Sequence, residues 1–481
     1  MALVFAASLA LYAISVSPVV FWGDSAEFAT RAATLDLTPV ARGYPLHRVL
    51  SWGVGRIVGS PALGANLVSA VFGAAATALT HELGRRISGS RAGGFASAAA
   101  LGLCPTFWLY SGVAEVYTLH VAFVAAMLLA AHASDGGRTP RLVFGALVGL
   151  SFLHHRMTAF ALPGLCVLAA LRARRAGALR KGTGEALAGF AIGVVPFVLL
   201  CLLASRSPPD GTPDPAAWWF RDVFVGGDQN TAHVFGSGVK SFGANLAYVA
   251  RWLAYDLPGP ALLLCAAGVA SLATSRRDET WAWALLLPLH LVFPLRYDWT
   301  GDQFSFLVPF VGVAAPLAAV GVAEIERRRP RLATASVAAT AATPLAVALV
   351  LAFTPAGKRL LPGLTEEARR ALVLPVHVGD TTPRDFAARN LARVPPRSLL
   401  HADWGDGQVY LYLQRVEGLR TDVDVRIWYG RRPKLVRDGR EEWLSAMPGT
   451  LEPPAPVRLV SEALDDVGGG LHRVRAAESP R

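Results

Sequence analysis

The chain has 481 residues, 53% hydrophobic and 17% charged, with a formal net charge of +11. A soluble domain carries about 25% charged residues, so the charge deficit and the long apolar blocks exclude an ordinary soluble protein. Nucleic-acid binding is disfavoured too, because the basic residues stand in short clusters between apolar blocks, with no interleaved aromatics for base stacking.

A helix crosses a bilayer with about 20 apolar residues. The first such block runs from Met1 to Trp22. It lacks a basic n-region and a small-residue cleavage site, so a retained spanning helix near 3–22 is expected, not a signal peptide. Phe21-Trp22-Gly23-Asp24-Ser25-Ala26-Glu27-Phe28 follows. Asp24 and Glu27 are three apart and share one face of a helix. Carboxylates beside a membrane usually face a cavity or pathway, where they serve as a general base or bind a metal. The competing reading is a solvated loop with a helix-capping Asp. In the next stretch, Gly43 and Pro45 fix a turn around Tyr44, and Arg42, His47 and Arg48 add cationic donors. Arginine suits phosphate through its bidentate fork, although snorkelling to lipid headgroups would use the same residues.

Further spans are expected near 63–83, 92–110 and 117–132, with Glu115, Tyr117 and His120 grouped at a very short turn. The apolar run 142–171 is interrupted by His154, His155 and Arg156. It fits two short helices, 142–155 and 157–171, or one tilted helix with a polar break. After a span near 186–204 comes a long loop, 205–258, holding Trp218, Trp219, Asp228 and Trp252; its amphipathic part near 240–256 suits the interface. Spans near 259–274, 281–295, 305–323 and 333–353 complete the set. Asp298 and Asp302 precede one of them, either as site residues or as helix caps. Cys104, Cys166, Cys201 and Cys265 lie in apolar blocks without a CxxC pair, which suggests small hydrophobes and no disulfide or metal framework.

The positive-inside rule orders these segments. With the N-terminus cytoplasmic, the loops at Arg85/Arg86, Arg138/Arg141, Arg172–Lys181, Arg276/Arg277 and Arg327–Arg331 all fall inside. The acidic loops then fall outside. The expectation is an α-helical polytopic protein of the inner (plasma) membrane with about 11 transmembrane helices. Its membrane domain would occupy 1–355. The tail 356–481 is charged and punctuated by Pro, and has no block long enough to span. A strand near 398–404, a helix near 409–416 and a strand near 423–429 give it a βαβ rhythm, so a small C-terminal extracytoplasmic α/β domain is expected.

Taken in order, Asp24-Ser25-Ala26-Glu27-Phe28, Gly43-Tyr44-Pro45-Leu46, Ala114-Glu115-Val116-Tyr117 and Gly149-Leu150-Ser151-Phe152-Leu153-His154-His155 resemble the bacterial family related to the transmembrane protein O-mannosyltransferase. The tail stretches 399–408 and 412–423 resemble that family's extracytoplasmic domain. Ala26 departs from a usual Gly, and Ala41-Arg42 stands where the family has His-Pro-Pro or part of it, so that Arg42 or His47 would take over from that His. The resemblance implies a GT-C-like glycosyltransferase that moves a sugar, mannose in the family, from a polyprenyl-phosphate donor to a protein or glycan acceptor. It implies Asp24 as the general base, Glu27 as its orienting partner, and Arg42, Arg48, His154, His155 and Arg156 as phosphate neutralisers. Tyr44, His47, Glu115, Tyr117 and Asp298 complete the expected substrate site. No cofactor is required by this reading, although two carboxylates and phosphate oxygens could share a divalent cation. A transporter or lipid flippase is one alternative, and a non-catalytic family member, to which Ala41-Arg42 would point, is another. A transporter would place ionisable residues at mid-membrane on paired broken helices, whereas here they sit at span ends.

Overall fold

The computed structural model describes residues 1–37, 44–205, 242–275, 277–297, 303–360, 370, 373–428, 440–445 and 464–474. Arg42, Trp218, Trp219, Asp228, Asp298 and Asp302 lie outside the described residues. The described part is a helical bundle followed by a small sheet. In chain order the helices are α1 (Ala2–Ala13), α2 (Asp24–Ala33), α3 (Pro45–Val58), α4 (Pro61–Ser88), α5 (Arg91–Gly102), α6 (Pro105–Gly112), α7 (Tyr117–His132), α8 (Arg138–Ser151) and α9 (Thr158–Arg175). Then come α10 (Leu179–Ser205), α11 (Phe242–Asp256), α12 (Pro260–Ser275), α13 (Arg277–Arg296), α14 (Val308–Arg328), α15 (Pro330–Phe353), α16 (Pro355–Leu360), α17 (Thr382–Arg393) and α18 (Trp404–Arg415).

Local chemistry sets several boundaries. Ser60 caps α4 by accepting from the Leu63 amide at 3.3 Å, Pro61 takes the first helical position, and Gly89 ends the helix in the left-handed region. Ser90 then caps α5 through the Gly93 amide at 2.9 Å. The start of α6 is capped from a distant element: the Thr106 amide and hydroxyl donate to Asp256 at 3.2 and 2.7 Å.

Among the described residues, four helices are long and apolar enough by themselves to cross a membrane: α4, α10, α14 (extended back to Phe304) and α15. Two bent pairs pass the same test together, α5 with α6 at 65° and α11 with α12 at 108°, and α1 and α7 are shorter apolar helices. The block 3–22 is helical only to Ala13; α1 gives way at Ser15, Ser17 and Pro18, where proline removes a donor and the Ser17 amide turns to Gly112 O. The run 142–171 is two helices, α8 and α9, joined by a turn that holds His154 and His155. A single tilted helix is thereby ruled out. α14 is the buried centre of the bundle, whereas α10 and α15 present most of their apolar surface outward, as lipid-facing helices do.

Without a hydrophobic drive between helices in lipid, close packing depends on small residues. α8 and α10 meet through glycines four apart on both sides, Gly145 and Gly149 against Gly189 and Gly193. A methyl group at Gly145 would stand 1.8 Å from Ala186 O, and one at Gly189 would stand 2.1 Å from Leu142 O. At the arginine-rich end of the bundle, ion pairs tie the helices together. Arg141 meets Glu185 at 2.8 Å, Arg172 bridges Asp135 and Glu279, and Ser90 bonds Glu326.

The tail carries strands β1 (Leu399–Ala402), β2 (Asp424–Ile427), β3 (Glu442–Ser445), β4 (Leu464–Gly468) and β5 (Leu471–Val474). They form one sheet in the order β2-β1-β3-β5-β4. β1 runs parallel to β2 and β3, with α18 as the crossover between β1 and β2, so the βαβ rhythm is present. α17 and α18 pack on it through Phe386, Leu391, Val409 and Leu413. The same apolar cluster continues into Val20, Ala26, Phe28, Ala62 and Ala65 of the membrane part. The sheet layer is therefore packed onto the segment around α2.

Within that layer Asp406 is fully buried beside the Ser445 hydroxyl, which bonds Tyr410 at 2.7 Å. Burial pushes the Asp406 carboxyl up to about 7. The unfolded chain ionises it near 3.8, so folding takes up a proton between those values. Local stability should be greatest below about pH 4, fall as the pH rises towards 7 and level off above it. Hydrogen exchange of the β1 and α18 amides should show this slope in the wild type and lose it in Asp406→Asn; an identical slope in both would refute the assignment. Separately, Gly189→Leu should lower the thermal stability of the detergent-solubilised protein by roughly 1–3 kcal/mol or more. Gly184→Ala, in open space, should leave it unchanged.

Candidate active site

The loops opposite the arginine-rich end gather around α2. Its approach is held from below and above. Asn66 of α4 donates to Ser17 O at 2.7 Å and to Val19 O at 3.1 Å. Phe21 stacks near His377 at 4.8 Å, and Trp22 meets Phe386 edge-on at 5.6 Å. Gly23 then turns the chain with φ 60°, in the region that only glycine enters at little cost, and α2 begins at Asp24. Asp24 and Glu27 thus occupy the first turn of one helix, where the helix dipole favours acids.

The two carboxylates have different surroundings. Asp24 is half-buried, and its Oδ1 accepts a 2.6 Å hydrogen bond from the Trp404 indole Nε1. Glu27 is 5% exposed and meets Arg31 one turn on at 2.6 Å. Arg31 also reaches Asp36 at 3.2 Å, and the guanidinium of Arg48 donates to the Asp36 backbone carbonyl and stands 3.8 Å from its carboxylate. Glu27, Arg31, Asp36 and Arg48 therefore form an alternating chain of charge that joins α2 to α3. Arg48 is fully buried in that chain. A buried ion pair is strongly destabilising when one partner is removed, so this network fixes α2 in place.

The neighbouring loops are tied to one another by backbone groups. Leu46 N donates to Leu153 O at 3.1 Å, which joins the start of α3 to the α8–α9 turn. His154 Nε2 bonds Val116 O at 2.9 Å, which joins that turn to the α6–α7 loop. Ser69 of α4 holds that loop through the amide and carbonyl of Glu115, at 2.9 and 3.1 Å. Aromatic and imidazole rings fill the space between. Tyr44 lies flat against His155 at 5.0 Å and meets Phe28 at 5.5 Å. Tyr117 stands 5.5 Å from His155 and His120 stands 4.9 Å from it. Phe28, one turn after Asp24 on α2, meets Tyr44, and Tyr44 and Tyr117 both stand against His155, so the α2 turn and the His-rich turn flank one centre. His47 closes the ring against Phe28 at 5.8 Å.

The structure thus brings together Asp24, Tyr44, His47, Glu115, Tyr117, His154 and His155. Glu27 and Arg48 face their ionic chain beside this centre, and Arg156 ends the His-rich turn. Sequence reasoning missed Arg31, Asp36 and Trp404. The spacing of Glu27 and Arg31, four apart on a helix, is a legible signal for the first. Nothing local marks Trp404, which lies 380 residues from its partner. Among the described residues no group of three or more His, Cys, Asp or Glu side chains is arranged to hold a metal ion.

Residues 24–177 match the family model described as the protein O-mannosyl-transferase TMEM260 N-terminal domain. Protein O-mannosyl-transferase TMEM260 of Mus musculus is 33% identical over 127 residues, which is 26% of this chain and 18% of the mouse protein. Among solved structures, ArnT from Cupriavidus metallidurans bound to undecaprenyl phosphate has a TM-score of 0.57 at 16% identity, covering 100% of this chain and 99% of that one. The same protein in the apo state has a TM-score of 0.53 at 15% identity, covering 98% and 97%. The matched region contains Asp24 and the His154-His155 turn, and the shared fold extends to the tail. Residues 24–177 are thus similar to the N-terminal domain of a protein O-mannosyl-transferase, and the chain shares the fold of ArnT along its whole length.

Proposed function

We propose that this protein is a membrane glycosyltransferase that moves a sugar from a polyprenyl-phosphate donor to an acceptor hydroxyl. The single observation that supports this best is the convergence of Asp24, Glu115, Tyr44, Tyr117 and His155 at one end of an apolar bundle. A donor with a long lipid tail stays in the bilayer, so its phosphate rests at the interface, level with such a ring of side chains. The resemblance to ArnT, a protein crystallised with undecaprenyl phosphate, supports the same class of donor.

In this reading Asp24 is the general base. The acceptor hydroxyl gives its proton to the Asp24 carboxylate while its oxygen bonds the anomeric carbon. The bond from that carbon to the phosphate oxygen breaks, and the phosphate leaves with the electron pair. Rings of Tyr44, His47, Tyr117, His154 and His155 line the donor site. Both ring nitrogens of His47 are buried without a hydrogen-bond partner among the described residues, as is His155 Nε2, which carries that ring's N–H because Nδ1 accepts from the Met157 amide. Such groups are costly to leave unmatched, and phosphate oxygens satisfy the N–H that His47 and His155 each offer. Arg156 ends the same turn and Arg42 precedes Tyr44 in sequence, which makes both candidates for neutralising the leaving phosphate. Glu27 and Arg48 act through the ionic chain, holding α2 so that Asp24 keeps its direction.

Charge supports an orientation. The arginine-rich loops at the far end belong on the cytoplasmic side by the positive-inside rule. The acidic site and the C-terminal sheet then lie outside the cytoplasm, with an extracytoplasmic protein or glycan as acceptor and mannose as the sugar that the family likeness favours.

Asp24→Asn removes the base and keeps the shape. Transfer of radiolabelled sugar from polyprenyl phosphate in membrane vesicles should fall about 10²–10⁴-fold, with membrane insertion and thermal stability unchanged. Wild-type transfer by this variant would remove Asp24 from the base role.

A further inference from the structure

The acidic end of the bundle is completed by a residue from the other end of the chain. Trp404 opens α18, directly after β1, and Asp403 fixes its backbone by accepting from the Trp404 amide at 2.6 Å. The indole Nε1 donates to Asp24 Oδ1 at 2.6 Å. One residue later, Gly405 O accepts from the Gly23 amide at 2.9 Å. The first turn of α18 therefore grips two consecutive residues at the start of α2, one through its backbone and one through its side chain. Around this double contact lies the apolar cluster that joins Val20, Ala26 and Phe28 to Val409, Leu413 and Phe386.

We infer that Trp404 is a positioning residue for Asp24, so that the C-terminal sheet layer is a working part of the site. The inference rests on Asp24 as base. A carboxylate has two oxygens and turns freely about its χ2 torsion, which is broad and roughly two-fold. The indole bond engages Oδ1 and stops that rotation, so Oδ2 is presented in one direction. Indole Nε1–H is a donor only, so it holds the ionised carboxylate and offers that oxygen no competing acceptor. The bond survives only while the sheet layer stays docked on α2. Gly23 supplies the turn beside the indole: its φ of 60° is a backbone conformation that a side chain would strain. Small misplacements of a reacting group cost rates of up to about 10²-fold.

The test uses the full-length protein in membranes, with a radiolabelled polyprenyl-phosphate sugar as donor. Trp404→Phe keeps an aromatic ring in the packing and deletes the N–H. Its kcat should fall about 10- to 100-fold, while KM for the lipid donor and the thermal midpoint stay at wild-type values. A purely structural role would instead lower the midpoint and the folded yield, leaving kcat per folded molecule unchanged. Should Trp404→Phe fail to fold, benzothienylalanine placed at 404 by stop-codon suppression preserves the bicyclic shape with sulfur in place of N–H. Wild-type kcat in the folded variant overturns the inference. Asp24→Asn in parallel separates the two layers of the account. If that variant is active, the base assignment itself fails. If it is inactive while the 404 variant is wild type, only the role of Trp404 fails.

Discussion

A half-buried carboxylate at the end of an apolar bundle needs partners, and for Asp24 a partner comes from the far end of the chain. The indole of Trp404 and the carbonyl of Gly405 hold Asp24 and Gly23 at 2.6 and 2.9 Å. Removal of that clasp would leave the start of α2 attached to the sheet layer by apolar packing alone. The loop 14–23, which leaves the helical path after Ala13, carries Gly23 to the sheet layer. Phe21, Trp22 and Val20 must then be covered, and His377, Phe386 and the α18 face cover them. The sheet layer is thus folded against the bundle by the same apolar surface that positions the acid.

Electrostatics divides the labour between the two acids of the first turn. Glu27 is bound into the chain Glu27–Arg31–Asp36–Arg48, whose two end members are buried. Charges in such a chain offset one another's desolvation and give rigidity. Asp24, in the same turn, accepts a hydrogen bond from the Trp404 indole and is thereby tied to the sheet layer. The histidines complete the contrast. They are packed ring against ring with buried nitrogens unmatched among the described residues, in a setting that an anionic ligand would satisfy.

Much of this was legible in the sequence, for physical reasons that can be named. Charge deficit and block length announce a membrane protein because burial of charge in lipid is costly. Asp24 and Glu27 on one helix face, and the two helices flanking His154-His155-Arg156, follow from spacing and from the polar break. The βαβ rhythm at Leu399, Trp404 and Asp424 follows from alternating strand and helix signals. Helix bends were less legible, since apolar content does not reveal where a helix turns: α5 and α6 meet at 65° and α11 and α12 at 108°, with Asp256 at the end of α11 bonded to Thr106 at the start of α6. The clasp of Trp404 on Asp24 was not legible at all, because a single long-range donor leaves no periodic trace. The reach of Arg48 back to Asp36, across the connection between α2 and α3, likewise leaves no local mark in the sequence.

The central claim is spatial: loops separated along the chain form one lipid-phosphate site beside Asp24. A cryo-EM structure of the full-length protein with polyprenyl phosphate tests it most directly. The account predicts phosphate density among Tyr44, Tyr117 and His155, with Asp24 on its water-accessible side and Trp404 still bonded to it. Phosphate bound at another face of the bundle, or Asp24 turned away from Tyr117, would contradict it.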